Sequence, residues 1–210
     1  MKTRIITGAF LAAIFWACGP NEPKETIEEV EEVVVPDNTL TEEERSEGWM
    51  LLFDGQSMEG WRAFNGDTTP SNWIIEDGAM KGLGATGGSD IGGDIVFGPM
   101  EFEEFELEFT WKISPGGNSG VFYHVVEGPD YKAPYYTGPE YQVIDQLGFE
   151  GPLEKWQSLA GDYAMYEPDF EGVVKPAGEW NVSKIIFSEE GASYWLNGKK
   201  TVEFVPYSED

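Results

Sequence analysis

Cysteine and histidine are all but missing: the 210 residues contain one of each, Cys18 and His124. A single Cys excludes a disulfide framework and any Cys-rich zinc site. A single His excludes His-rich metal sites and any triad that needs a second imidazole. Positive charge is scarce as well, with 13 Lys and Arg against 39 Asp and Glu, a formal charge of −26. A surface that negative repels phosphate backbones and anionic lipid, so nucleic acid is excluded as a partner. The apolar run Ile5 to Ala17, about 13 residues, is too short to span a bilayer comfortably. What the chain does have is aromatic mass and glycine: 8 Trp, 9 Tyr, 13 Phe and 26 Gly. Wholesale disorder is excluded, and the length fits one domain with tails, or two very small domains at most.

The N-terminus reads as an export signal. Lys2 and Arg4 precede the apolar run, which has the length of a signal-peptide core and ends at Ala17-Cys18-Gly19. Residues 1–17 resemble a bacterial lipoprotein signal, which implies that Cys18 becomes the lipidated first residue. The mature protein is then expected at the bacterial cell envelope, on the periplasmic or surface side, with the membrane as a partner through that anchor. From Asn21 to Glu47 the chain carries eleven acidic and two basic residues and no aromatics. Self-repelling charge with little to bury predicts a flexible tether over 18–47. Thr41-Glu42-Glu43-Glu44 within it has the form of a helix start, with Thr41 as the N-cap.

Residues 48–210 read as β. Phe105, Leu107, Phe109, Trp111 and Ile113 alternate with Glu104, Glu106, Glu108, Thr110 and Lys112, the pattern of a half-buried antiparallel strand. Val121 to Val126 is apolar on both parities apart from His124, which predicts an interior strand. Asp77-Gly78 and Asn197-Gly198 are hairpin turn signals, each flanked by strand-like runs. Leu153 to Leu159 is the one stretch that could make a short helix. Many short strands with glycine-rich turns predict a sandwich or jelly roll of two antiparallel sheets.

Four stretches place polar residues beside aromatics. Gly116-Gly117-Asn118-Ser119-Gly120 is a glycine turn, not a phosphate loop, since no Lys and no helix follow. His124 is either a satisfied core residue or a base. In Glu140-Tyr141-Gln142, an extended backbone would point Glu140 and Gln142 to one face. A carboxylate on a concave face is costly to bury unless paired or used, which makes Glu140 a candidate general base. Asp162-Tyr163 lies in a loop of small residues and tyrosines, the mixture that carbohydrate sites use. If the strands carrying His124 and Glu140 are neighbours, both side chains, with Asn118 and Gln142, are expected in one pocket.

Leu51-Leu52-Phe53-Asp54-Gly55, Gly60-Trp61, Gly93-Asp94-Ile95, Gly117-Asn118-Ser119-Gly120-Val121, Gly138-Pro139-Glu140-Tyr141-Gln142, Lys175 to Asn181 and Trp195-Leu196-Asn197-Gly198 occur here in one order. Together they resemble the 3-keto-disaccharide hydrolase family. The resemblance implies a concanavalin A-like, jelly-roll β-sandwich over 48–210 and a substrate oxidised to a ketone at C3 of the sugar. It implies cleavage of the glycosidic bond by base-initiated β-elimination and rehydration, with Glu140 or His124 as the base. Asn118, Gln142, Asp162 and Tyr163 are then substrate-binding, and a divalent metal polarising the ketone would take His124 and Glu140 as ligands. The family continues past the Trp-Leu-Asn-Gly hairpin into further strands, whereas this chain stops at Asp210, so C-terminal strands are expected to be missing. The alternative is a non-catalytic glycan-binding envelope lipoprotein on the same sandwich.

Overall fold

The computed structural model describes residues 3–5, 34–36, 38–84 and 93–208. Cys18, most of the signal segment and the tether as far as Val33 lie outside the described residues. The strands in chain order are β1 (Thr3–Ile5), β2 (Val34–Pro36), β3 (Trp61–Ala63), β4 (Trp73–Glu76), β5 (Ala79–Gly82) and β6 (Ile95–Phe97). They continue with β7 (Phe105–Trp111), β8 (Asn118–Phe122), β9 (Glu140–Ile144), β10 (Asn181–Ser188), β11 (Gly191–Leu196) and β12 (Lys199–Phe204). Helix is confined to α1 (Glu42–Ser46) and two 3-10 turns, Pro134–Tyr136 and Lys155–Gln157. Among the described residues no helix is long and apolar enough to cross a membrane.

The described residues fall into two compact units, one within Met1–Arg62 and Thr68–Gly93, the other within Ala63–Asp67 and Asp94–Asp210. In the first, β1 pairs antiparallel with β2, and β4 with β5. Asp77 and Gly78 both have positive φ, so the β4–β5 hairpin closes through the type I′ turn that this dipeptide favours. Thr41 caps α1 in a full capping box, its hydroxyl accepting from the Glu44 N–H while the Glu44 carboxylate accepts from the Thr41 N–H.

The second unit is a two-layer sandwich. One layer is an antiparallel sheet of order β12-β11-β10-β7; the other is built on the antiparallel pair β8–β9. Tyr123, Tyr141, Val143, Ile185, Phe187, Tyr194, Leu196 and Val202 fill the space between them. Phe105, Leu107, Phe109 and Trp111 pack inward from β7, as their alternation predicts. On the opposite face Glu106 and Glu108 form ion pairs with Lys184 of β10. The β11–β12 hairpin turns at Asn197-Gly198, again with positive φ at both residues. The Asn197 side chain also locks this turn to its surroundings, donating to the Val173 carbonyl and accepting from the Val182 N–H.

The layers are also joined by a buried polar chain. Trp111 Nε1 donates to Ser183 Oγ at 2.8 Å, Ser183 Oγ lies 2.7 Å from the Tyr141 hydroxyl, and Tyr141 donates to the Trp195 carbonyl at 3.1 Å. Every hydroxyl in that chain has a partner, which is the condition for burying it without penalty.

Two local expectations are corrected. The interior strand does not run from Val121 to Val126: β8 ends at Phe122, and His124 has φ +52. A left-handed residue breaks the alternation of faces, so parity no longer says where the imidazole points. The predicted short helix between Leu153 and Leu159 is present only as the 3-10 turn Lys155–Gln157.

Candidate functional site

The register of β8 on β9 puts Asn118, Gly120 and Phe122 on the same face as Glu140, Gln142 and Ile144, the face turned away from the four-stranded sheet. A third segment extends this surface. Gln142 N–H donates to the Gly161 carbonyl and Tyr163 N–H to the Glu140 carbonyl, around an antiparallel bridge between Tyr141 and Asp162. Tyr163 therefore stands opposite Glu140 on its face, while Asp162 shares the inward face of Tyr141. Ala160 and Ala164, both left-handed, bend the chain into and out of this short extended piece.

Glu140 owes its position to a glycine. A β-carbon built on Gly120 would fall on Glu140 Oε1 and lie 2.8 Å from its Cγ and Cδ. The carboxylate thus lies flat across the backbone of β8, where only glycine leaves room. Among the described residues no hydrogen bond or ion pair reaches it. Burial pushes its pKa up from 4.5 to about 7, helped by the nearby negative charges of Asp94 and Asp162. Burial also raises the Asp94 carboxyl. A carboxylate held half-buried, unpaired and among like charges is a base poised near neutrality.

The remaining candidates divide. Asn118 is exposed on the Glu140 face. Tyr163 is there too, its hydroxyl accepting from Gln157 Nε2 at 3.4 Å and free to donate its own proton. Gln142 is on that face but only 2 % exposed, covered by Gln157, whose carbonyl accepts from Gln142 Nε2 at 3.4 Å; Gln142 Oε1 has no partner. Asp162 is turned into the sandwich toward Tyr194, whose hydroxyl lies 2.8 Å from that of Tyr123. Burial raises Asp162 to about 6, partly offset by the Glu140 N–H and the Tyr194 hydroxyl.

His124 does not join Glu140. Its ring packs edge-to-face on Phe187, centroids 4.4 Å apart, and on Phe105 and Tyr123, and its Nε2 meets the Glu103 carbonyl at 3.0 Å. The ring thus sits among core aromatics, whereas Glu140 is on the face of β9 opposite the core residue Tyr141, so the structure does not bring the two together. No group of three or more His, Cys, Asp or Glu among the described residues is placed to hold a metal ion. With its two named ligands apart, the donor set does not fit a divalent metal. Asp94 stands in the sequence only within the Gly93-Asp94-Ile95 motif, where nothing marks it as an electrostatic neighbour of Glu140. From sequence Gly120 belongs to a glycine turn, whereas in the structure it lies inside β8, where an isolated glycine signals close approach.

Comparison with known proteins agrees with this geometry. A crystal structure of a protein from Parabacteroides distasonis assigned as a glycosyl hydrolase superposes with TM-score 0.74 at 42% identity, covering 83% of this chain and 79% of its own. A second from the same organism, with the same assignment, gives 0.54 at 26%, covering 69% and 71%. These likenesses accord with the jelly-roll sandwich. The 3-keto-disaccharide hydrolase of Bacteroides thetaiotaomicron is 36% identical over 172 residues, 76% of this chain. The chain spans 59% of that relative's length. A family model for the 3-keto-alpha-glucoside-1,2-lyase-like domain matches residues 48–210. With the family's sandwich and more than three quarters of its length inside that match, the chain belongs to the 3-keto-alpha-glucoside-1,2-lyase-like family.

Proposed function

We propose that this protein cleaves the glycosidic bond of 3-keto-glycosides, including 3-keto-disaccharides, with Glu140 as the general base. The observation that carries the reading is the Glu140 carboxylate, laid over Gly120 without a partner and with its pKa raised to about 7. A ketone at C3 acidifies the C2 proton, which Glu140 removes to leave an enolate. As the C3 carbonyl re-forms, a C1–C2 double bond forms and the C1–oxygen bond breaks. The leaving sugar departs with the electron pair and takes a proton from water. Hydroxide then adds to C1, and the proton held on Glu140 returns to C2, giving net hydrolysis. Asn118 and the Tyr163 hydroxyl, on the same face, are donors for the enolate oxygen. Gln142 acts at one remove, by seating Gln157 beneath Tyr163. The names of the curated relative and of the family support the substrate class.

The same reading includes an envelope lipoprotein anchored through Cys18, supported by the signal-like run before it. The test of the chemistry is turnover of a 3-keto-disaccharide by the full chain and by Glu140→Gln. Loss of a positioned base costs roughly 100- to 10,000-fold in rate, and deuterium at C2 should slow kcat/KM of the wild type. Saturable sugar binding with no turnover would establish the glycan-binding alternative. Turnover undiminished in Glu140→Gln would remove Glu140 from the mechanism.

A further inference from the structure

Beside the Glu140 face stands an aromatic residue that the proposed chemistry does not use. Trp156 lies at the centre of the 3-10 turn Lys155–Gln157 and is 40% exposed, in a protein where most indoles are better covered. The turn is held on both sides. Glu154 N–H donates to Gln157 Oε1 at 3.2 Å, and the Trp156 carbonyl accepts from Ala164 N–H at 3.0 Å. The indole is braced edge-to-face by Tyr163, with centroids 5.3 Å apart and planes at 79°. Tyr163 in turn stands opposite Glu140, and side chains so paired have β-carbons about 5 Å apart. Tyr163 therefore connects Glu140, its neighbour across the pairing, to the Trp156 indole, its ring neighbour.

We infer that Trp156 is a sugar-binding platform for the leaving half of a disaccharide, against which the pyranose attached at C1 of the oxidised ring stacks. This rests on the reading of Glu140 as the base. With C2 of the oxidised sugar over Glu140, its C1 substituent begins one bond away, and the indole lies one side chain beyond Glu140's neighbour Tyr163. An exposed aromatic face that is already immobilised binds the apolar face of a sugar at little entropic cost. Tyr163 links the two positions, its ring against the indole and its hydroxyl toward the reacting sugar.

The experiment compares wild type, Trp156→Ala and Trp156→Phe on two substrates, a 3-keto-disaccharide and the methyl 3-keto-glucoside that lacks the second ring. Trp156→Ala should raise KM for the disaccharide about tenfold more than for the methyl glycoside, with kcat changed less than KM, and Trp156→Phe should recover most of the loss. Equal losses on both substrates, or none on either, would overturn the assignment. A second arm titrates the unoxidised disaccharide into Glu140→Gln and into Glu140→Gln with Trp156→Ala, following heat of binding. Weaker binding in the double variant supports the platform even if no 3-keto-glycoside is turned over, which separates its fate from that of the proposed chemistry. Identical affinities in the two would refute it.

Discussion

Replacing Glu140 by Gln should make the protein more stable, and more so as pH rises. The carboxylate is half-buried with no hydrogen-bond partner among the described residues, and its pKa is raised from 4.5 to about 7 by burial first and by Asp94 and Asp162 second. A folded value above the unfolded one means that the native state holds this proton more tightly. The resulting stability is fully present below pH 4.5 and is lost as pH rises through about 7. At 1.36 kcal/mol per pH unit that displacement is worth about 3 kcal/mol if the group were closed to water, and partial exposure reduces it to ~2 kcal/mol. Gln keeps the shape and removes the charge. At pH 8 the variant should therefore gain ~2 kcal/mol over wild type, about 4–8 °C in melting temperature for a chain of this size. At pH 4.5 the gain should shrink to under ~0.5 kcal/mol. Asp162 titrates in both proteins, so to first order the difference between their melting curves isolates Glu140. Thermal melts followed by circular dichroism across this range decide the matter. A difference that does not vary with pH, or a wild type more stable at pH 8, would show that the carboxylate is paired after all.

Gly120→Ala should displace the Glu140 side chain, because the new methyl occupies its place. Activity on a 3-keto-glycoside should fall about 100-fold while the melting temperature stays within a few degrees; an unchanged rate would mean that the carboxylate does not act from this position. Ser183→Ala removes the acceptor of Trp111 Nε1 and one partner of the Tyr141 hydroxyl. Orphaning a buried donor should cost about 2 kcal/mol, read as a lowered denaturation midpoint. Cys18→Ser should release the protein from the membrane fraction of the producing bacterium, and continued acyl labelling of that variant would show the anchor to lie elsewhere.

How far each part could be read from sequence follows from how local its cause is. The face of β7 was legible because five apolar and five polar residues alternate without interruption, so one register satisfies them all. The two type I′ hairpins were legible because Asp-Gly and Asn-Gly carry their turn geometry with them. The helix at Glu42 announced itself through a cap three residues from its partner carboxylate. His124 was not legible: nothing in Phe122-Tyr123-His124-Val125 specifies a left-handed residue. What fixes it is tertiary, the ring settling on Phe187 and Phe105 from the other layer. The segment Gly161 to Tyr163 read as a loop because its strand character is supplied by β9, between two left-handed alanines that break any periodicity. The type of Tyr163 points to a sugar site, but its place opposite Glu140 depends on that pairing.

The site also runs against the economy of the rest of the chain. With only 13 cations for 39 acids, lysines still pair with carboxylates elsewhere: Lys184 with Glu106 and Glu108, Lys199 with Asp169, Lys81 with Glu76. All of these carboxylates but the partly buried Glu108 are well exposed, where pairing contributes little. Glu140, where a cation would stabilise most, has instead Asp94 and Asp162 for electrostatic neighbours. For stability alone that arrangement is a fault, as the expected gain on removing the charge states. For abstraction of a proton from carbon it is what the chemistry requires, since a carboxylate paired with lysine would be too weak a base. Gly120 fits the same logic: a strand interior gives up side-chain packing at one position so that an unpaired carboxylate can lie there. Two local departures from what would stabilise a sheet, at diagonal neighbours on one face of β8 and β9, fit the one function proposed for Glu140, which needs the charge.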